Sequence, residues 1–323
     1  MDMLVATFRI LAALFGAGLV MAGWSEHVFF NEGPAETLLT ALNAAPLDAV
    51  IAQLEIAAFY TIPAGVALAA MAWRGHAGLG RAMLIAALVG FVIEGTVVPA
   101  VYEAVPLSYL WTSVAWHGPI TVGLGIFLMP RLLARLGPVQ MGLTAIAAGL
   151  GWGIWTTWVW EGGVPNLSSA DFAAYAAWTF IGIAVGYGLL HLARWPRVAL
   201  HKSVLWLFVL VPAALFVMQG VFLPVGGVGL SVILAGLLYA LSRWDVGAVA
   251  PERLRWRNLV ILILMPGTAI GTYAAQVSLG QLLPQDDLIA LTFALGLLAW
   301  LGCLVVGYRR VRASKTDAGA VAS

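Results

Sequence analysis

The sequence predicts an all-α protein, a polytopic membrane helix bundle of about ten transmembrane helices with both termini in the cytoplasm. Three observations carry that expectation. Hydrophobic residues make up 62% of the chain and charged residues 10%, with a mean hydropathy of +0.96, far outside the globular range. Apolar runs of about 20 residues, the length a helix needs to cross the hydrocarbon core, recur from end to end. All 16 Lys and Arg fall in segments that can be assigned to one side of a bilayer.

In chain order the expected spans are 4–24, 49–73, 82–105, 107–130, 140–160, 172–193, 203–223, 226–242, 258–280 and 287–308. Basic turns separate alternate pairs: Arg74 and Arg81; Arg131 and Arg135; Arg194, Arg197 and Lys202; Arg243, Arg253, Arg255 and Arg257. The tail adds Arg309, Arg310, Arg312 and Lys315, and Arg9 can snorkel from the first span to the inner surface. Cationic loops are retained in the cytoplasm, so these turns and both ends are expected inside. The opposite turns are acidic, with Glu26, Glu32, Glu36, Asp48, Glu103, Glu161, Asp171, Asp286 and Asp287. The bias toward Arg over Lys, with much Ala and Gly, points to a bacterial plasma membrane.

The chain is expected to be a single integral membrane domain, with its ionisable site in helices 1–5, less polar helices 6–10 and a short cytoplasmic tail. The first span has a thin basic flank for a secretory signal and is expected to be retained. Cys303 is the only cysteine, which excludes disulfides within the chain and a cysteine metal cluster. The cytoplasmic Arg residues are ordinary topology determinants, so nucleic acid is not an expected partner; the lipid bilayer is. Oligomeric state is not readable, and the spacings Gly149/Gly153, Gly182/Gly186 and Gly267/Gly271 are expected to serve close helix packing within the chain. A search for two inverted five-helix repeats finds only shared glycines between the first and sixth spans.

Ionisable side chains in hydrocarbon cost about 2.5–3.5 kcal/mol each on insertion scales, so each requires a partner or a purpose. They concentrate early: Glu55 in IAQLEIAAFYTIP, Glu94 in GFVIEGTVVPAVYE and His117 in YLWTSVAWHGPITVG. Counting from the turn at Pro106 at about 1.5 Å per residue places Glu94 about 16 Å and His117 about 15 Å deep, at matching levels on antiparallel neighbours. Glu55 is shallower, about 9 Å in, and Glu26 and His27 close the outer end of the first span. His191 is expected at the inner interface, and His76 and His201 in solvated loops. Pro63, Pro99 and Pro119 each withhold a helical N–H, freeing the carbonyls of Phe59, Gly95 and Ala115. Ser113, His117 and Thr121 recur every four residues and form a polar stripe on helix 4. Trp24, Tyr109, Trp111, Trp158 and Trp160 read as an interfacial belt, and Trp116 and Trp152 as deeper packing.

An interhelical polar pair in a membrane contributes only about 0.6 kcal/mol, so holding Glu94 and His117 for structure alone is a poor use of both. Three chemistries suit the set. In metal-free acid–base work Glu94 and His117 are acid and base, Glu55 assists, and Tyr102 or Ser113 orients them. A divalent transition metal would draw on His117, Glu94, Glu55, Glu26 and His27, converging from separate helices because no helix carries HxxxH, HExxH or ExxH. Haem would take His117 as its axial ligand with Glu94 behind it. The stretch from His117-Gly118 to Pro130 resembles the helix of haem–copper oxidase catalytic subunits that supplies a haem ligand. The family's other histidines have no counterparts, which excludes a binuclear oxygen-reducing centre and leaves a single haem. The expected function is a membrane-embedded enzyme or cofactor-binding protein acting on a small or lipophilic substrate. A proton-coupled transporter ranks second and an assembly partner third.

Overall fold

The computed structural model describes residues 2–75, 78–97, 99–102, 104–160, 165–195, 202–244 and 253–321. Those residues are helical almost throughout and include no strand, only an isolated bridge between Trp158 and Leu283. Glu103, Glu161, His76, Arg197 and His201, named above from the sequence, lie outside them.

In chain order the helices are α1 (Asp2–Ala22), α2 (Glu32–Ala44), α3 (Pro46–Arg74), α4 (Leu79–Val92), α5 (Met129–Arg135), α6 (Pro138–Trp155) and α7 (Ser169–Ala193). They continue with α8 (Lys202–Phe222), α9 (Pro224–Ser242), α10 (Trp256–Ile261), α11 (Leu264–Ser278) and α12 (Gln285–Val321). Three π-helical segments depart from the α pattern: Gly23–His27 ends the first span, Ile93–Val97 ends the third, and Ser113–Leu128 forms most of the fourth. Short 3-10 turns, Pro99–Tyr102 and Leu107–Tyr109, lie between the last two.

Eight helices among the described residues are long and apolar enough to cross a membrane: Leu4–His27, Pro46–Trp73, Leu79–Val97, Leu107–Arg135, Ser169–Ala193, Pro224–Ser242, Trp256–Ser278 and Gln285–Lys315. The chain is a helical membrane protein. The stretches expected at 140–160 and 203–223 are helical too. However, α6 has only 18 residues, diluted by Gln140 and several glycines, while α8 runs over the 21 residues Lys202–Phe222. Three boundaries differ from the sequence reading. The third span ends at Val97 rather than near 105, because Pro99 cannot extend it and opens a 3-10 turn instead. Residues 24–48, expected as a connection, contain the 13-residue α2. The ninth span breaks into α10 and α11 where Pro266, in the first turn of α11, can follow a break but not a continuous ladder.

The chain forms two compact units. The first comprises Met1–Tyr60, Gly125–Trp195 and Glu252–Leu291; the second comprises Thr61–Leu124, Pro196–Pro251 and Thr292–Ser323. In the first, α1 packs along α7, α6 along α11, and α7 against α11. These contacts need glycine. A Cβ on Gly16 would lie 2.9 Å from the Gly186 carbonyl oxygen, one on Gly186 2.8 Å from that of Gly16, and one on Gly153 2.5 Å from that of Ala269. Gly267 and Gly271 face open space and take no part in such packing. In the second unit, α9 packs against α4 and α8, and α8 against the Ile93–Val97 turn.

Two expectations about surface residues are overturned. Arg81, read as an inner-loop charge, is 0% exposed. Its guanidinium donates to the carbonyls of Gly75 (2.7 Å), Leu241 (2.6 Å), Trp244 (2.8 Å) and Ala70 (3.4 Å), collecting the carbonyl ends of α3 and α9 where a cation is favoured. Trp24 and Trp158, read as belt residues, are buried at 3% and 5%. The Trp24 indole N–H donates to the Tyr187 hydroxyl. Trp155, Trp158 and Trp160 donate theirs to the carbonyls of Phe29 and Phe30. They fix the turn after Gly23–His27, in which Phe30 adopts a left-handed φ of 65° that a bulky residue reaches only under such constraint.

Candidate functional site

Glu94 sits in the π-helical turn that ends the third span, and His117 in the long π-helix that begins the fourth. Their side chains meet in the second unit, His117 Nε2 lying 2.8 Å from Glu94 Oε1, and both are buried. A third residue completes the contact: the Thr112 hydroxyl donates to the same Glu94 oxygen. On the far side of the imidazole, Thr121 Oγ1 stands 3.5 Å from Nδ1. With Nε2–H given to the carboxylate, Nδ1 is the acceptor for Thr121, so hydroxyl, imidazole and carboxylate form one directed chain.

The local backbone explains this grouping. Thr112 directly precedes the π segment and His117 lies one wide turn on, and both reach the same Glu94 oxygen. The expected orienting donors do not serve the pair. Ser113, one α turn before His117, is fully buried with its hydroxyl unbonded. Tyr102, between the third and fourth spans, donates to the Gly95 carbonyl at 3.1 Å. Burial, with the neighbouring Tyr109 second, pushes its hydroxyl up to about 12, so it stays a donor.

The first unit holds the other candidates. Glu26 lies in the π turn ending the first span and is 1% exposed. It accepts from the Tyr60 hydroxyl of α3 and from Asn31 Nδ2 at 2.6 Å, and Ser25 Oγ joins Tyr60 at 2.6 Å. His27 stands edge-on to Tyr175 of α7 and is 2% exposed. Glu55 is exposed on α3 and shares with His27 the wall of a cleft against α2. His191 packs edge-on against Trp256.

No family model, curated protein or solved structure matches the chain.

The units share a plan. In each, one membrane helix (α1 or α4) ends in a five-residue π turn whose buried glutamate takes a hydroxyl from the span that follows, Tyr60 in one and Thr112 in the other. In each, that helix also packs along a later one, α1 on α7 and α4 on α9. The donor sets suit proton exchange better than coordination. Both ring nitrogens of His117 are already engaged, by Glu94 and Thr121, whereas an axial iron ligand needs one free. Among the described residues, no three His, Cys, Asp or Glu side chains gather as they would around a metal ion. The five residues expected as ligands divide instead into Glu94 with His117 in one unit and Glu26, His27 and Glu55 in the other.

Proposed function

We propose that this protein is a ten-span bacterial inner-membrane transporter with both termini cytoplasmic, which couples the movement of a small solute to protons exchanged at Glu94–His117. The observation that carries the reading is the buried, hydroxyl-terminated Glu94–His117 chain. Two ionisable groups in hydrocarbon cost more than their pairing returns, which favours a site that works by gaining and losing a proton. The shared plan of the two units, each with a buried glutamate on a π turn, supports transport, because repeated units are how many secondary transporters are built.

The test is pH-jump infrared difference spectroscopy on reconstituted protein, comparing wild type with Glu94→Gln and His117→Ala. A carboxyl band that comes and goes reversibly with pH, is lost in Glu94→Gln and moves in His117→Ala is expected. A pH-insensitive spectrum, or one that Glu94→Gln leaves unchanged, refutes the proposal.

Acid–base catalysis on a lipophilic substrate is the second reading, favoured by the placement of the His27–Glu55 cleft on one end of the first two spans. It shares the proton exchange but predicts a converted product where transport predicts solute accumulation.

A further inference from the structure

We propose that the cleft between α2 and α3 in the first unit binds a small primary ammonium ion with an apolar body. The cleft measures about 240 Å³, room for roughly eight water volumes or an organic molecule of that size. Leu38, Ile56 and Phe59 give it apolar walls, and His27, Thr37 and Glu55 are its polar side chains.

The donor inventory decides the ligand class. The Tyr175 hydroxyl gives its one proton to the His27 carbonyl at 3.0 Å, so it presents a lone pair to His27 Nδ1 at 3.4 Å. Nδ1 therefore carries the ring proton and Nε2 is a bare acceptor. That Nε2 is buried with no hydrogen-bond partner, a state that costs about 1–3 kcal/mol until a donor arrives. Thr37 gives its proton to the Gly33 carbonyl at 2.9 Å, leaving only lone pairs. Glu55, an exposed carboxylate, accepts as well. All three polar side chains are acceptors.

A carboxylate or phosphate ligand would set lone pair against lone pair. A quaternary ammonium would bring charge without the N–H that Nε2 needs. A metal ion would find one carboxylate and one imidazole amid hydrocarbon, short of the three-ligand grouping absent among the described residues. A primary ammonium brings only N–H donors to a lining whose polar side chains are acceptors, and its alkyl part matches the walls. The inference does not rest on the Glu94–His117 reading.

Isothermal titration calorimetry on the full-length protein in detergent tests it, with n-butylammonium, tetramethylammonium and butyrate as probes. Saturable binding of n-butylammonium is expected, with tetramethylammonium roughly tenfold weaker and butyrate not binding. Glu55→Gln, at an exposed position that leaves the fold intact, should weaken n-butylammonium by roughly tenfold or more. Thr37→Val should weaken it by a smaller factor. Gly271→Ala, in open space away from the cleft, should bind as wild type. Absence of saturable n-butylammonium binding, equal affinity in Glu55→Gln, or competition by butyrate overturns the proposal.

Discussion

Replacing Arg81 by Met keeps most of the side-chain volume and removes every donor from a site that is 0% exposed. Four carbonyls lose a guanidinium N–H: Gly75, Leu241 and Trp244 at 2.6–2.8 Å and Ala70 at 3.4 Å. Gly75 and Trp244 are half-buried, and water can replace the guanidinium there at little cost. Leu241 and Ala70 are buried and stay dry. At about 1–3 kcal/mol for each acceptor left unsatisfied, discounted for the long Ala70 contact, the loss is about 2–4 kcal/mol. Unfolding in mixed detergent micelles, followed by tryptophan fluorescence, would measure it. Arg81→Lys should fall between, since an ammonium keeps the charge but cannot span all four acceptors. An Arg81→Met protein within about 0.5 kcal/mol of wild type would refute the assignment of Arg81 as the clasp of the two helix ends.

Thr112→Val should destabilise by about 1–2 kcal/mol and perturb the Glu94 carboxyl band, whereas Ser113→Ala, which removes a buried hydroxyl without a partner, should leave the band unchanged and be neutral or stabilising; equal effects would remove Thr112 from the chain. Gly153→Ala should cost about 1–3 kcal/mol, because its Cβ would press on the Ala269 carbonyl. Gly271→Ala, in open space, should be neutral or stabilising by up to about 1 kcal/mol. Thermal unfolding of the two variants side by side checks both.

The sequence disclosed the membrane class, because hydropathy sets span positions, and it paired Glu94 with His117 on neighbouring spans, although the straight-helix depth count behind that pairing fails beyond Val97, where 3-10 turns replace the helix. What it concealed has identifiable causes. Thr112 was missed because an α period of four points to Ser113, and nothing in the residue pattern marks the π segment that begins there. Arg81 looked like any loop cation, since burial of a guanidinium by carbonyls leaves no trace in hydropathy. Trp158 and Trp160 had the position and chemistry of belt residues, but their partners are backbone carbonyls 130 residues away in the case of Trp160 and Phe30, which no local pattern records. The two units were hidden by interleaving: a comparison of the first half of the chain with the second cuts across both.

The π-helical stretch Ser113–Leu128 makes the Glu94–His117 contact a matter of register. Excising one residue between Thr112 and His117 would retain both of those side chains and Glu94, yet leave a spacing that fits an α turn. An α turn also sets residues four apart on one face, so hydroxyl and imidazole would stay together if the segment relaxed to α and would part if the wider turn survived the loss. Chain length, unlike composition, is invisible to alanine scanning, so a deletion series across 113–116 is the perturbation to which this site is most exposed.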